Sequence, residues 1–333
     1  MREETAQHFF ESHFKSKVQN WLKLPASGSS RVNFVATSES GEKYIVTSNQ
    51  NRLENEAFIY FSQIFSNLNL NTPEIIAISD DDLSYIQTYL GQQTLSEIIA
   101  EEGESSRVKA LVKQTLYQLY QLQTKTKGKI DYSKTFEYEA YNEFPITNDF
   151  YYFKNFVADV LELHYHKYKL LKEFKTLTEK IESLQPKGLM IRDFQARNIM
   201  VNDENQVFFI DYQAAMQGPL MYDVISFLYQ AKANFSTDFK NEMLDYYYAL
   251  FEDEKQVAQL KESLPYLQLI RFLQVLGAYG FRGLIQRKPH FLESLPKGID
   301  NLYQFSKTWS EIQNYPELNQ LILQLKQYDI ANL

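Results

Sequence analysis

One stretch of the chain carries residue types and spacings that can do chemistry: Met190-Ile191-Arg192-Asp193-Phe194-Gln195-Ala196-Arg197-Asn198-Ile199-Met200-Val201. Asp193 is followed five positions on by Asn198, just ahead of an apolar strand. A second apolar strand, Val207-Phe208-Phe209-Ile210, ends in Asp211, thirteen positions after Asn198. Phosphoryl transfer asks little covalent chemistry of a protein. It asks that a hydroxyl be held in line and that phosphate charge be neutralised. Asp193 can accept the hydroxyl proton, while Asn198 and Asp211 offer hard oxygen ligands of the kind Mg²⁺ takes while it keeps waters and bridges phosphates. A loop followed by a strand hairpin would bring the three together. Asp and Asn also favour turns and caps for purely local reasons. The combination favours chemistry: Arg192 directly before Asp193, Ile199-Met200-Val201 directly after Asn198, and a strand that stops at Asp211.

The set follows the catalytic-loop pattern H-R-D-x-x-x-x-N with a later metal-binding aspartate. Ile191 stands in place of the His, and the D-F-G triplet reads Asp211-Tyr212-Gln213. No A-P-E triplet or activation loop is visible, which argues against a protein acceptor and for a small one.

The elements that must position these residues follow from composition and pattern. Over 333 residues, 34 Lys plus Arg against 42 Asp plus Glu give a formal charge of −8. That excludes nucleic-acid binding driven by bulk charge. The 44% apolar content supplies a core and excludes global disorder, and 11 Gly with 9 Pro favour long helices over a many-stranded barrel. With no cysteine there is no disulfide, thiolate metal site or Cys nucleophile. No apolar run reaches the ~18 residues of a membrane span, and the start lacks a signal-like segment, so a cytoplasmic location is expected.

Periodicity predicts a helix over 1–24 ended by Pro25, a small-residue turn at 26–30, and hairpin strands at 31–37 and 43–47. A helix over 52–67 and strands at 73–78 and 83–89 follow. Leu90-Gly91 then breaks the chain, placing a boundary between a lobe of residues 1–90 and a helical lobe of 91–333. The second lobe predicts helices at 94–100, 106–126 and 149–184, a compact strand-loop-strand over 188–213, and further helices broken at Pro265 and Pro289.

Arg192–Val201 and the stretch Ile210-Asp211-Tyr212-Gln213 through Met221-Tyr222-Asp223-Val224 resemble the aminoglycoside phosphotransferase/choline kinase superfamily. The likeness is closer to its anomeric N-acetylmuramate/N-acetylglucosamine kinases of cell-wall recycling. Leu24–Arg31, Tyr89-Leu90-Gly91 with Thr94-Leu95, and Arg271–Arg282 with Lys288-Pro289-His290-Phe291 and Leu295-Pro296 fit that branch, so the likeness spans nearly the whole chain. The resemblance implies an α+β, protein-kinase-like two-lobed fold, with a small antiparallel-sheet lobe that binds nucleotide. The larger lobe, mainly helical, would carry the catalytic loop and acceptor site. It implies ATP or GTP as donor, Mg²⁺ as cofactor, a small sugar acceptor, and neither nucleic acid nor membrane as partner.

Residue by residue, the resemblance implies Asp193 as base with Arg192 beside it, and Asn198 and Asp211 as metal ligands. Asp223 would buttress the loop from a following helix, where the dipole also favours a carboxylate. Ser27, Gly28, Ser29, Ser30 and Arg31 would cradle phosphate. Thr47 falls where the phosphate-binding Lys is expected, leaving Lys43 or Arg31 to supply the charge. Glu56 is either the helix carboxylate of the family or ordinary helix surface. The hinge Gln87-Thr88-Tyr89-Leu90 would meet adenine. For the acceptor, Glu143, Asp149, Gln195, Arg197, Gln213 and Arg282 are candidates that also fit solvated caps or salt bridges. The expected activity is ATP- and Mg²⁺-dependent phosphorylation of an amino-sugar hydroxyl, such as the anomeric one. The alternatives are a kinase for an aminoglycoside, choline or homoserine, and a nucleotide-binding pseudokinase scaffold.

Overall fold

The computed structural model describes residues 2–25 and 31–328. The chain opens with α1 (Arg2–Phe14), which ends where Lys15 takes a left-handed conformation, φ 52°. The last part of the helix expected over 1–24 is instead the edge strand β1 (Asn20–Lys23), because Trp21 stacks on Phe34 with ring centroids 4.7 Å apart. β2 (Val32–Thr37) and β3 (Lys43–Ser48) form the expected hairpin, its turn closed by Gly41 N–H donating to Ser38 O at 3.0 Å. α2 (Arg52–Asn67) begins at Asn51, whose side chain accepts from the Glu54 N–H. β4 (Ile75–Ile78) and β5 (Ser84–Thr88) complete an antiparallel sheet of order β1-β2-β3-β5-β4. One face of that sheet buries Phe34, Ala36, Val46 and Ile86 against Ala6 and Phe10 of α1.

β6 (Gln93–Thr94) leads into α3 (Leu95–Glu102), where Thr94 and Glu97 cap each other's backbone, and α4 (Ser106–Lys125) follows. α5 (Glu143–Phe153) starts earlier than the expected position 149. Asn142 caps the Phe144 N–H, so the polar stretch read as a turn forms the first turns of the helix. After α6 (Lys167–Ser183) come β7 (Lys187–Met190), β8 (Ile199–Val201) and β9 (Val207–Phe209), and then β10 (Met216–Pro219), which patterning did not mark. β6, β8 and β9 form one small sheet, and β10 pairs with β7. The rest is helical: α7 (Met221–Leu228), α8 (Thr237–Tyr248), α9 (Glu254–Tyr279), α10 (Pro289–Thr308) and α11 (Pro316–Gln327). An antiparallel sheet followed by a largely helical remainder is the expected α+β architecture.

Pro265 lies inside α9 and does not end it. An interior proline costs about 3 kcal/mol. Burial of Leu267, Leu269, Ile270 and Leu273 on the same helix, at roughly 2 kcal/mol each, outweighs that cost. Pro289 is the first residue of α10, where its missing N–H has no intrahelical partner to lose.

The chain divides into two compact units, one of residues 1–139, 191–216 and 241–250, the other of 140–190, 217–240 and 251–333. In the first, Phe58 of α2 stacks between Tyr85 of β5 and Tyr212, at 5.1 and 4.7 Å. In the second, α5, α7 and α10 pack on α9. Just past α9, a Cβ on Gly280 would stand 2.2 Å from the Phe156 carbonyl oxygen, so this close approach admits only glycine. No helix among the described residues is long and apolar enough to cross a membrane.

Candidate active site

The loop from β7 to β8 holds Asp193 in a tight turn, with Arg192 at φ 71° and the Asp193 N–H donating to Ile191 O at 2.9 Å. Asp211, just past β9, is also left-handed at φ 66°. Each such conformation costs a non-glycine residue about 1–3 kcal/mol and persists only where its surroundings over-determine it. Those surroundings are visible. Asn198, in a single 3-10 turn entering β8, donates from Nδ2 to the Asp193 carbonyl at 2.8 Å and to Asp211 Oδ2 at 3.2 Å. The Ile210 N–H returns a bond to the Asn198 carbonyl at 3.0 Å, zipping the hairpin shut beside Asp211. Tyr212 anchors the next position: it is fully buried under α2, its hydroxyl 2.7 Å from Ser62 Oγ.

The expected trio therefore meets through one amide. Among the described residues nothing donates to Asn198 Oδ1, and the Asp193 carboxylate, half-buried, takes no hydrogen bond. One carboxylate and one carboxamide oxygen are the hard donors a divalent cation of the Mg²⁺ type accepts alongside water and phosphate. Arg192 is half-buried in the turn. Gln195 gives its carbonyl to the Asn198 N–H, and Arg197 is exposed.

Arg31 completes the cluster. Its guanidinium bonds Asp211 Oδ1, donates from Nη1 to Gln213 Oε1 at 3.1 Å, and pairs through Nε with Glu54 Oε1 at 3.3 Å. Gln213 Nε2 in turn donates to Asp211 Oδ1 at 3.2 Å. Burial works against the Arg31 charge, but the neighbouring Asp211 and Glu54 carboxylates outweigh it and raise its pKa above the ordinary value. Glu54 is buried and held by Asn49 Nδ2 at 2.8 Å, whereas Glu56 is exposed and pairs with Arg52 one turn back on the helix.

Thr47 is buried, its hydroxyl donating to Asn33 Oδ1 at 2.8 Å. Tyr85 beside it is pushed up to about 12 by burial, against the pull of Arg31 and Thr47. Lys43 stands over the Tyr89 ring at 5.6 Å, at the far end of β3. Gln87 Nε2 reaches Thr47 Oγ1 at 3.5 Å, and Thr88 Oγ1 accepts from the Glu74 N–H at 3.0 Å. A cavity of about 280 Å³ opens at Tyr89, Leu90 and Gly91, walled by Phe208 and the turn Asn202-Asp203-Glu204. Gly91 sits at φ 115°, and a Cβ there would lie 2.9 Å from Val201 O. Ser27, Gly28, Ser29 and Ser30 lie outside the described residues.

In the second unit, Asp223 is fully buried in the first turn of α7. Asp149 is buried on α5 and accepts from the Tyr141 hydroxyl at 2.8 Å, while Glu143, six residues away on the same helix, faces solvent. Arg282 lies over the Phe291 ring at 5.3 Å.

A sequence profile of the phosphotransferase enzyme family matches residues 21–260, most of the chain. The chain belongs to the phosphotransferase enzyme family. It is a small-molecule kinase with an alcohol group as acceptor. It is 23% identical over 321 residues to the N-acetylmuramate/N-acetylglucosamine kinase of Neisseria meningitidis serogroup B, covering 89% of this chain and 92% of that protein. Among solved structures it is similar to a choline kinase from Streptococcus pneumoniae, with TM-score 0.63 and 12% identity over 91% of this chain and 99% of the other. It is also similar to a gentamicin-bound aminoglycoside phosphotransferase, with TM-score 0.59 and 18% identity over 90% and 96%. These last likenesses are of fold, and the fold is the protein-kinase-like one expected.

Two features of this phosphotransferase escaped sequence reasoning. Spacing alone does not separate Glu54 from Glu56, whereas the Asn51 cap and the burial of Ala57, Phe58 and Phe61 show that Glu54 is on the inward face of α2. The wall of the hinge cavity at 202–204 and 208 read only as a turn and a strand.

Proposed function

We propose that this phosphotransferase transfers the γ-phosphoryl group of ATP to a hydroxyl of an amino sugar, the anomeric hydroxyl of N-acetylglucosamine or N-acetylmuramate. The observation that carries the transfer is the Asn198 amide joining the Asp193 turn to Asp211, with a cation beside it. The curated relative that is an N-acetylmuramate/N-acetylglucosamine kinase supports the acceptor, and AMP- and ADP-bound neighbours support an adenine nucleotide.

In this reading residues 1–90 carry the nucleotide and 91–333 the acceptor. The acceptor oxygen attacks the γ-phosphorus, the bond to the bridging oxygen breaks, and ADP leaves. Asp193 takes the hydroxyl proton, and its carboxylate, with no other hydrogen bond among the described residues, is available to do so. The resemblance assigns Arg192 and Asp223 supporting roles. Asn198 Oδ1 and Asp211 would hold Mg²⁺, which supplies charge neutralisation on the phosphates when bound. The hinge Gln87–Leu90 takes the base, beside the cavity at Tyr89–Gly91. Asp149, Glu143, Gln195, Arg197, Gln213 and Arg282 are the acceptor-side candidates.

The test is Mg²⁺-ATP turnover against N-acetylglucosamine, N-acetylmuramate, glucosamine, choline and kanamycin, with the phosphorylated carbon read by phosphorus NMR. Turnover on an N-acetyl sugar at its anomeric carbon is expected. Turnover confined to choline or kanamycin would overturn the acceptor and keep the chemistry. Nucleotide binding with no transfer to any of the five would overturn the proposed acceptor class.

A further inference from the structure

β3 brings no cation to this site, since Thr47 stands at its inner face with its hydroxyl bonded to Asn33. The guanidinium of Arg31 is shared between two carboxylates with different freedoms. Glu54 takes the Nε end. It is buried, held by Asn49, and sits in the first turn of α2, where the helix N-terminus favours a negative charge. Asp211 and Gln213 take the far end, and the Asp211 side chain is 27% exposed against 12% for Arg31 and Glu54. The near contact is a fixed tether. The far contact covers an oxygen of Asp211, the carboxylate assigned above to the metal.

We propose that Arg31 is a transferable cation: tethered by Glu54, it covers Asp211 in the free enzyme and moves to the nucleotide phosphates on binding, so that nucleotide and metal admit one another. The inference rests on the proposed function and deepens it. A divalent ion arriving alone at Asp211 must displace a guanidinium that already neutralises it, and the two cations repel at contact range. Polyphosphate offers the guanidinium an alternative partner of the planar, charge-assisted kind it binds best. Once Arg31 turns to phosphate, Asp211 is released to the metal. Arg31 follows directly on Ser27-Gly28-Ser29-Ser30 in the sequence, the segment expected to cradle phosphate. Glu54 is thus a positioning residue, which acts by keeping Arg31 within reach.

The test is Mn²⁺ binding to the intact chain, read by electron paramagnetic resonance with and without a non-hydrolysable ATP analogue, together with calorimetric analogue binding. Arg31→Gln uncovers Asp211, so Mn²⁺ affinity of the free enzyme should rise about tenfold while analogue affinity falls tenfold or more. Glu54→Gln leaves Asp211 as the one carboxylate paired with Arg31 among the contacts described here, so free-enzyme Mn²⁺ affinity should fall. Arg31→Lys keeps the charge and should restore most analogue affinity. It also provides the reading if the Gln variant fails to fold. An Arg31→Gln enzyme that is folded yet binds Mn²⁺ no better than wild type would overturn the proposal, as would unchanged analogue affinity. If the wild type with analogue binds no Mn²⁺, or Asp211→Asn binds it equally well, the metal assignment itself fails.

Discussion

At the scale of single residues, the Asp193 carboxylate is the simplest group to isolate. It accepts no hydrogen bond among the described residues, so replacing it removes a proton acceptor and little else. Asp193→Asn should lower kcat by about 10²–10⁴-fold with the thermal midpoint and nucleotide affinity retained, as for loss of a general base. A variant with near wild-type kcat would remove Asp193 from that role. Glu54 and Glu56 offer a paired test two positions apart. Glu56→Gln touches only an exposed pair with Arg52 and should leave stability within about 0.5 kcal/mol and the nucleotide KM unchanged. Glu54→Gln should raise that KM, and steady-state kinetics on both variants decides it; equal effects would deny the distinction. The trio Asp193, Asn198 and Asp211 was legible in the sequence because its geometry is local, one loop and one hairpin. Arg31 and Asp211 lie 180 positions apart, and no spacing rule connects them.

At the scale of elements, what could be read depended on whether local pattern or a distant partner decided the outcome. The β2–β3 hairpin, α2 and α4 were legible because apolar period, caps and turn residues agree over each stretch. The helix expected over 1–24 was not, because Val18, Trp21 and Leu22 fit a helical stripe equally well until Phe34 is known to lie across from Trp21. β10 was missed because Met216-Gln217-Gly218-Pro219 has no strand pattern of its own and is extended by pairing with β7 and by a bridge from Gln217 to Ala140. Gly91, between β5 and β6, shows the reverse, a sequence break with a structural requirement behind it. Both its backbone angle and the Val201 carbonyl exclude a side chain. Gly91→Ala should therefore destabilise by about 1–3 kcal/mol and shift the wall of the hinge cavity. Urea unfolding with analogue binding measures both, and a neutral result would mean the turn is not held as described.

At the scale of the whole molecule, the 24 tyrosines make alkaline pH the informative perturbation. Tyr85 is wholly buried and its pKa is pushed up to about 12, chiefly by burial, while burial also drives Tyr212 upward. Both flank Phe58 in the aromatic column that joins β5, α2 and the Asp211 segment. In the unfolded chain each would ionise near pH 10. Between pH 10 and 12 the unfolded state therefore binds fewer protons than the folded one, and stability falls as pH rises through that window. For Tyr85 alone the loss approaches roughly 2–3 kcal/mol by pH 12, a large share of a typical folding free energy. Absorbance at 295 nm should then show the exposed tyrosines ionising first, with a later step coincident with loss of far-UV ellipticity. Tyr212→Phe should cost about 1 kcal/mol at pH 7 through the lost Ser62 bond, yet unfold at higher pH than wild type. If every tyrosine ionised before ellipticity changed, the column would not be the sealed element its burial implies, and the seating it gives Asp211 would have to come from the Asn198, Gln213 and Arg31 contacts.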